Sequence, residues 1–498
     1  MAITAGSGLN SVAASQKQTL TSNYIDFTAD ATGGWAQQYL PDLMEKEAEV
    51  FGPRTISGFL SQVGAEEAMS SDQVIWSEQS RLHISLKGTV ATAGSTNGTF
   101  TVTSDIDGNN ASSDSVFTLA DHGVRVNDMV LIASAGIVTK CKVVDADTAV
   151  IQVEPYDKAD LTGHATTTGG STLLVIGSHF AKGQSYFSNA DGATATDQRG
   201  ANEPTFKSFT NRPIIMKDYY EISGSDTARI GWVEVTAEDG ASGYLWYLKA
   251  EAETRLRFTD YMEMALLEAE QTAANSVIGN SHGAADLGAG AGTQGLFDAI
   301  STRGNVTSGI SGVNAATDLA EFDAILAEFD NQGAIEENMM FVNRATSLAI
   351  DDMLASMNSY GAGGTSYGVF DNSEDMALNL GFSGFRRGSY DFYKSDFRYL
   401  NDKATRGGIN DAATTAAIRG VIVPAGTSTV YDQMLGKNLK RPFLHVRFRA
   451  SQTDNRRFKT WVTGSVGAAT SALDAMQIHM LTERCLVTQG ANNFMLMQ

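Results

Sequence analysis

The chain has 498 residues, a formal charge of −21 at pH 7 and a sequence pI near 4.7. Acidity of this degree repels nucleic acid and anionic membranes, which disfavours sequence-specific DNA binding. Only Cys141 and Cys485 are present, so no disulfide framework is expected and a reducing compartment is favoured. Residues 1–16 lack the basic and apolar regions of a signal peptide. No run approaches the ~20 apolar residues of a membrane span, and we expect a soluble product made in a cytoplasm.

The N-terminal part predicts an arm with little structure of its own. Residues 1–34 are rich in Ser, Thr, Ala and Gly, so we expect them to become ordered only against another surface. Residues 36–51 predict a short helix that a Gly-Pro pair ends. Residues 1–57 together form this arm and short helix. Strand chemistry follows at residues 72–87.

Residues 89–177 predict a small β-barrel inserted into a loop. Short apolar runs alternate there with Gly, Asn, Asp and Ser turns, at Thr99–Thr103, Val116–Leu119, Asp128–Ile132, Val138–Val144, Ala149–Val153 and Thr172–Ile176. Regularly spaced short strands are typical of a small barrel or sandwich. A strand pair is predicted after the barrel, in the segment PIIMKDYYEISGSD. The strands near residues 76 and 215 therefore flank about 140 residues that leave and return, a long excursion by loop statistics.

Residues 242–276 predict one long helix. Apolar residues recur there at steps of three and four, namely Leu245, Leu248, Ala252, Leu256, Met262, Leu266, Ala269 and Ala273. This spacing places them on one helical face. Glu251 with Arg255, and Glu253 with Arg257, are acid-before-base pairs that support an exposed face. The rod would be roughly 50 Å long, longer than a compact enzyme usually needs.

The second half of the chain alternates helices and strands. Residues 318–332 predict an amphipathic helix capped by Asp318, followed by a strand at Asn338–Val342 and a helix at Arg344–Met357. The segments FLHVRFRA and RRFKTWVT predict a hairpin around Ser451–Asn455. MQIHMLTERCLV reads as the last strand.

No motif in the sequence predicts catalysis, a cofactor or a metal. Gly290–Gly295 matches the dinucleotide fingerprint, but no strand precedes it, so a Gly-rich connector is favoured. Neither a Walker A sequence nor a G-x-S-x-G nucleophile elbow occurs. The seven histidines show no metal-ligand spacing, and the acidic run from Asp105 to Asp114 lacks the Gly and Glu of a calcium loop. We expect a protein that is not an enzyme and binds no cofactor or metal.

Four blocks of sequence resemble the major capsid proteins of tailed bacteriophages. The block NRPIIMKDYYEISGSDTARIG, followed by the long helix KAEAETRLRFTDYMEMALLEAEQ, is similar to their polar N-x-x-I segment, strand and acidic, Arg-rich helix. QVIWSEQSRL is similar to the strand that opens their extended loop. EFDAILAEFDNQGAIEENMMFVNRATSLAIDDMLA resembles their axial domain, and MQIHMLTERCLVTQGANNF resembles the last strand of their peripheral domain.

The resemblance implies an α+β fold, the shell fold named for the Hong Kong bacteriophage 97, with the small β-barrel inserted. In this reading the extended loop comprises residues 58–88 and 178–222, around a barrel at residues 89–177. The peripheral domain comprises residues 223–312 and 437–498 and carries the spine helix 242–276. The axial domain comprises residues 313–436. An arm and a hairpin that cannot bury enough area alone would be stabilised by lying across neighbouring copies.

The implied function is that of a phage major capsid protein. Hexamers and pentamers of the chain would build an icosahedral shell that encloses double-stranded DNA without reading its sequence. Portal, decoration or head-fibre proteins would be partners, with assembly in the host bacterial cytoplasm, final location in the virion and no membrane contact. A bacterial encapsulin-type compartment is the alternative within the same fold. A soluble β-rich glycan-active enzyme or binding module is the alternative from another class, and it would need paired carboxylates in an aromatic cleft.

A basic cluster stands out near the C-terminus, at Lys437, Lys440, Arg441, Arg447, Arg449, Arg456, Arg457 and Lys459. It either pairs with acidic surface on a neighbouring subunit, forms a solvated hairpin face or touches packaged DNA. Trp76 and Trp246 would anchor subunit contacts or pack in a core. The candidate interface residues are Trp76, Arg81, Arg212, Lys440, Arg441, Arg447, Arg456 and Arg457.

Overall fold

A computed structural model gives the fold. It describes residues 59–60, 65–78, 81–91, 98–106, 122–134, 136–146, 149–164, 170–184, 207–229, 235–236, 242–243, 245–272, 292–307, 315–333, 335–357, 384–412, 417–432, 437–466 and 469–498. The chain divides into two compact units, one of Met1–Trp76 with Phe209–Gln498 and one of Ser77–Ser208. The arm and helix predicted before residue 58 lie outside the described residues.

The second unit is a closed six-stranded antiparallel barrel. Two strands precede it, β1 (Ala65–Met69) and β2 (Val74–Glu78). The barrel strands are β3 (Ser85–Ala91), β4 (Gly98–Asp105), β5 (Asp128–Ser134), β6 (Ile137–Asp145), β7 (Val150–Pro155) and β8 (Ser171–Ser178). They close in the order β3-β4-β7-β6-β5-β8. Burial alternates with period two along β4 and β5, because successive side chains of a strand point to opposite faces.

The predicted barrel is confirmed, with one strand exchanged. Five of the six predicted segments fall in β4 to β8, and the sixth, Val116–Leu119, lies outside the described residues. The remaining barrel strand is β3, which the sequence placed mostly in the extended loop. Gly88 allows β3 to lie close against β4. A Cβ at this position would come within 2.2 Å of the Thr101 carbonyl oxygen and would meet the Phe100 ring. The buried Phe100 ring thus packs against bare backbone in the barrel core.

The first unit contains a five-stranded sheet with a long central strand. Its other elements before the long helix are β9 (Lys207–Asn211), β10 (Ile214–Ser223), α1 (Gly224–Arg229), β11 (Val235–Thr236) and β12 (Ser242–Gly243). Near the C-terminus lie β20 (Leu444–Arg449), β21 (Lys459–Gly464) and β22 (Ala475–Thr488), preceded by the ladder of β18 (Thr427–Asp432) with β19 (Lys437–Pro442). The order is β1-β20-β22-β10, and β21 also pairs with β22. β2 pairs with β9 where the chain leaves this unit and returns.

The long helix α2 runs over Leu245–Glu268, 24 residues, about 36 Å at 1.5 Å per residue. The prediction to residue 276 was too long, and residues 269–272 are not helical. The apolar face also differs, because Leu256 is 46% exposed while Phe258, Met262, Leu266 and Leu267 are buried. The predicted Glu251–Arg255 pair is present at 3.1 Å.

The described part of the first unit also contains a six-stranded mixed sheet with helices. The helices are α3 (Leu296–Arg303), α4 (Ala315–Gln332), α5 (Arg344–Met357), α6 (Arg398–Asn401) and α7 (Arg406–Ala412). The strands are β13 (Asn305–Thr307), β14 (Glu337–Val342), β15 (Gly384–Arg387), β16 (Tyr390–Asp396), β17 (Gly420–Pro424) and β23 (Met495–Met497), with a 3₁₀ turn at Ala491–Asn493. Their order is β13-β23-β17-β14-β16-β15. The predicted strand at 338–342 and helix at 344–357 are confirmed.

Three local predictions were wrong. Asp318 lies inside α4, which begins at Ala315, and so it does not cap the helix. The segment predicted as a strand pair is one strand, β10, followed by the short helix α1. The predicted hairpin reduces to a bridge between Ala450 and Asn455, because β20 and β21 both pair with β22. A 14-residue strand offers enough length for two shorter partners in line.

Two apolar cores hold the first unit. One contains Leu266, Phe297, Val421, Leu444 and Phe494 among its buried members and lies between α2, α3 and both sheets. The other packs Phe322, Phe329 and Ile350 of α4 and α5 on Phe392 of β16. None of the helices in the described part of the chain is both long and apolar enough to cross a membrane.

Candidate assembly surfaces

The basic cluster meets an acidic strand of the same chain. β1 runs parallel to β20 with Glu67 opposite Arg447, and the Arg447 Nη2 lies 2.8 Å from Glu67 Oε2. The neighbouring Glu66 pairs with Arg457 on the segment before β21. Edge strand β1 is therefore attached by ion pairs as well as by its ladder.

Glu66 also reaches a buried guanidinium on the central strand. Arg484 of β22 is 4% exposed, and its Nη1 lies 3.3 Å from Glu66 Oε1. Arg484 also donates to the Arg457 carbonyl at 2.7 Å and to the Thr482 hydroxyl at 2.9 Å. Burial holds the pKa of Arg484 below its ordinary value, against the opposing effect of Glu66. Because an arginine stays charged in proteins, Arg484 needs compensating negative charge, to which Glu66 contributes most and Glu263 less.

A second buried acid binds two more arginines. Glu483 is 4% exposed, and it lies 3.1 Å from Arg449 and 3.1 Å from Arg456. Arg449 also pairs with Asp72, just after β1. Four arginines of the basic cluster, Arg447, Arg449, Arg456 and Arg457, thus have carboxylate partners in their own chain.

These pairs bear on the predicted subunit interface. Arg447, Arg456 and Arg457 each contact an acid of the same chain, an arrangement that none of the three alternatives for the cluster included. Lys440 and Arg441 lie on β19, whose side chains are outside the described part of the structure. The role of all five in contacts between copies stays a prediction.

The side chain of Asn211 connects β9 by hydrogen bonds to other segments of the first unit. Its Nδ2 donates to the Leu486 carbonyl at 2.6 Å and to the Gln294 carbonyl at 3.0 Å. Its Oδ1 accepts from the N–H of Gln294 at 2.8 Å and from Gln271 Nε2 at 3.1 Å. The residue is 1% exposed. One amide thereby joins the strand, the end of the long helix, β22 and the loop before α3.

That loop is the segment with the chance dinucleotide pattern. Gly295 lies so close to the end of α2 that a Cβ would come within 2.8 Å of the Ala269 nitrogen and the Leu267 oxygen. The Gly295 N–H donates to the Ala269 carbonyl at 2.7 Å. The glycine serves close packing of two backbones, which explains its presence without a phosphate.

The guanidinium of Arg303 lies over the rings of Trp76 and Phe209, one from each strand of the β2–β9 ladder. The ring centroids of Trp76 and Phe209 are 6.2 Å apart. Arg303, the last residue of α3, places its Cζ 4.5 Å from the Phe209 centroid and 5.5 Å from that of Trp76. Its Nη2 donates to Gln294 Oε1 at 3.3 Å. Trp76 is buried within its own chain, and its predicted part in an interface remains untested.

The end of the long helix is also fixed to α6 and α7. Glu268 accepts from the Tyr399 hydroxyl at 2.9 Å and from Arg406 at 2.9 Å. Burial, and then the Glu268 charge, raise the pKa of Tyr399. The helix therefore stops where Asn211, Gly295 and this pair converge on its C-terminal end.

The two remaining predicted interface residues lie on loops. Arg81 follows β2 and is exposed. Arg212 is exposed too, and its N–H donates to Asn211 Oδ1 at 2.8 Å. Arg81 belongs to the second unit, and the other seven predicted interface residues belong to the first.

The barrel contains a buried polar cluster around His164. The His164 Nδ1 lies 2.6 Å from the Ser134 hydroxyl and its Nε2 lies 2.8 Å from the Thr139 hydroxyl. Lys158 Nζ donates to Thr139 at 3.3 Å. Burial, and then the Lys158 charge, lower the pKa of His164. Both ring nitrogens are thus satisfied while the imidazole is neutral.

One shallow cavity of about 380 Å³ lies on the five-stranded sheet, lined by Asp454, Arg456, Lys459, Trp461 and Leu481. Across the described ranges, no three His, Cys, Asp or Glu side chains could hold a metal ion together. Burial raises the pKa of Cys141 and of Cys485 to about 12, which keeps both thiols protonated and unreactive.

Sequence reasoning missed Asn211, Arg303 and Glu66 as organising residues. Asn211 stood in the quoted N-x-x-I segment, and that was its only signal. Arg303 and Glu66 carry no local pattern for these contacts, because Phe209 lies 94 positions before Arg303 and Arg484 lies 418 positions after Glu66.

Comparisons with known proteins give structural likenesses only. No protein-family model matches the sequence, and no curated protein matches it. The chain is similar to a structure from Microbacterium phage Oxtober96, with 8% identity, a TM-score of 0.37 and coverage of 92% of this chain and 96% of that one. It is also similar to the capsid structure of the cyanophage P-SCSP1u, at 9% identity, a TM-score of 0.32 and coverage of 64% and 80%.

A third likeness is to the procapsid of satellite phage P4 with its size determination protein. There the identity is 11%, the TM-score 0.29 and the coverage 64% of this chain and 81% of that one. All three TM-scores lie below 0.5, so function has to be inferred from the chain's own contacts.

Proposed function

We propose that the chain is the major capsid protein of a tailed double-stranded DNA phage and that many copies assemble into its icosahedral shell. The observation that supports this is that β2 and β9, the two strands at the base of the long insertion, are held by buried contacts. We call these two strands the stem. The chain leaves the first unit at β2 and returns at β9 after more than a hundred residues. Asn211 bonds β9 to Gln271, just beyond the end of the long helix, and Arg303 of α3 lies over one ring from each strand.

Such an anchor has a mechanical use in a shell. An extended loop that lies across a neighbouring copy is attached to its own subunit through the stem, strands β2 and β9. Force on the loop acts on these two strands, so they have to keep a fixed orientation. Buried hydrogen bonds and a guanidinium on two rings resist pivoting at the place where the strands leave the core. A soluble enzyme has no evident need for this arrangement.

We propose that the chain has the domain arrangement of the Hong Kong 97-type fold. We assign α2 with the five-stranded sheet to the peripheral domain and the six-stranded sheet with α4 and α5 to the axial domain. The β2–β9 ladder then opens the extended loop, and the barrel is its insertion. Residues 1–57 would supply the arm.

Charge is compatible with a DNA container. A subunit of charge −21 does not adhere to packaged DNA, which favours enclosure without sequence recognition. We propose that the protein is located in the virion, after assembly in the host bacterial cytoplasm, with portal, decoration or head-fibre proteins as partners.

Negative-stain microscopy with sedimentation of the purified full-length protein tests the proposal. We expect closed angular shells, or flat hexamers and pentamers. Shells that carry a cargo enzyme and no DNA when isolated from the native host would favour an encapsulin-type compartment. Monomers that never assemble, even when crowded or mixed with phage partners, would contradict the shell function.

A further inference from the structure

The strand β10 ends the five-stranded sheet and presents a long outer edge. It has ten residues, all paired with β22 on the inner side, and no other described strand pairs with it. Its odd-numbered residues face solvent, with Ile215 53% and Tyr219 57% exposed. Exposed edges of this length are sites for pairing with another strand.

A row of rings runs across the sheet and stops at that edge. Trp461 of β21 stacks on His479 of β22, with centroids 5.1 Å apart and planes at 17°. His479 stacks in turn on Tyr219 of β10, at 5.9 Å and 25°. The three residues are direct cross-strand neighbours. Tyr219 therefore has a ring on its inner side and the sheet edge on its outer side.

The exposed face of β10 is complementary in charge to itself. In an antiparallel pair of two β10 strands centred on Tyr219, Lys217 lies opposite Glu221 of the second copy, and Glu221 opposite its Lys217. Within the described residues neither Lys217 nor Glu221 forms an ion pair, and Glu221 accepts a hydrogen bond from Gln477 Nε2 at 2.6 Å. On the other face, Met216 lies opposite Ile222. Opposite charges across a ladder stabilise it.

We propose that β10 pairs antiparallel with β10 of a second copy of this chain, across a twofold axis through Tyr219. The two five-stranded sheets then form one continuous sheet, and the ring row continues from Tyr219 to its counterpart. Lys217 and Glu221 select this register, because a shift by two residues moves each charge away from its partner. The contact is isologous, as closure by twofold symmetry requires. This inference rests on the proposed shell for its biological setting.

A local hydrogen bond protects the edge in the free subunit. The Tyr219 N–H donates to Asp218 Oδ1 at 2.8 Å, which covers one backbone donor against unspecific pairing. In the paired state this N–H donates to the carbonyl of the second copy, and Asp218 lies opposite its Tyr220. Pairing therefore replaces the bond to Asp218 with one to a backbone carbonyl, and the choice of strand and register is left to the side chains of β10.

Cysteine cross-linking tests the register in the full-length chain. In Tyr219→Cys the two thiols lie opposite each other, about 5.5 Å apart at Cα, within disulfide range. We expect disulfide-linked dimers on mild oxidation. Tyr220→Cys is the matched control, because its side chain points to the other face and does not meet itself. The native thiols Cys141 and Cys485 are buried. Equal dimer yields from both variants would overturn the proposal.

Charge reversal tests the same contact without touching Tyr219. We expect Lys217→Glu and Glu221→Lys each to weaken association about tenfold, since two like-charge pairs then face each other. The double variant restores both pairs and should restore association. A double variant no better than the single ones would overturn the register. If the wild-type chain forms shells but Tyr219→Cys gives no disulfide-linked dimers, this inference is contradicted and the proposed function is not. If Tyr219→Cys gives disulfide-linked dimers but the chain never builds shells, the proposed function is contradicted.

Discussion

The side-chain amide of Asn211 donates to the carbonyl of Leu486, 275 positions later in the chain, at 2.6 Å. This bond joins the strand that returns from the barrel to the central strand of the sheet. Together with the bonds to Gln294 and Gln271, it makes one buried residue the junction of four segments. The free energy of unfolding should depend on it strongly.

Asn211→Ala is expected to lower the free energy of unfolding by about 2–4 kcal/mol, because the carbonyl of Leu486 and the N–H of Gln294 are left unpaired in a buried place. Urea unfolding of the full-length chain measures this. Asn211→Asp keeps the acceptor oxygen but sets a buried carboxylate oxygen against the carbonyls of Leu486 and Gln294, so it should cost at least as much as alanine. A loss below about 0.5 kcal/mol for alanine would show that water replaces the amide.

Arg303→Met is expected to loosen the β2–β9 ladder, because methionine fills space over Trp76 and Phe209 but has no charge for their ring faces. The loss is about 1 kcal/mol. Hydrogen exchange of the β2 and β9 amides should become faster, while exchange in α4 stays unchanged. Arg255→Met, which removes only a surface pair with Glu251, is the matched control. Unchanged exchange at β9 in Arg303→Met would show that the guanidinium does not hold the stem.

Glu66→Gln is expected to destabilise the first unit by about 2–3 kcal/mol, because Arg484 is buried and loses its charge partner. Glu251→Gln, in an exposed helix pair, should cost less than about 0.5 kcal/mol. Thermal unfolding of both variants compares the two. Equal effects would mean that Arg484 finds another acid, and the buried pair would then not hold β1.

The barrel should lose stability on acidification through His164. Its pKa is lowered in the folded state, whereas the unfolded chain takes up a proton near pH 6.5. Stability is therefore fully present above about pH 6.5 and falls as the pH drops through the lowered pKa of His164.

Amide protection in β5 and β6, measured from pH 7.5 to pH 5, checks this. His164→Gln should remove the pH dependence that comes from this site. His179→Gln, which alters a more exposed histidine bonded to Tyr156, should keep it. Protection in wild type that is independent of pH would contradict the assignment.

The sequence by itself determined those elements whose signal is local. Period-two burial in Asp128–Ser134 and helical spacing in Ala315–Gln332 follow from side-chain direction within one segment, and both were predictable. The barrel as a separate insertion was predictable for the same reason, since its short strands recur at regular spacing. The acidic total charge also needed no structure.

Tertiary contacts decided the rest. The long helix ends at Glu268 because the backbone of Gly295 packs against it and Arg406 holds its last acid, and none of this is visible in the periodicity of residues 242–276. The hairpin predicted near Ser451 is reduced to one bridge, because β20 and β21 both pair with the longer strand β22. The pairing of Arg447 and Arg457 could not be read from the sequence, because their acids, Glu67 and Glu66, lie almost 400 positions earlier. Charge pairing and backbone contact depend on distance in space, and only the folded chain defines that distance.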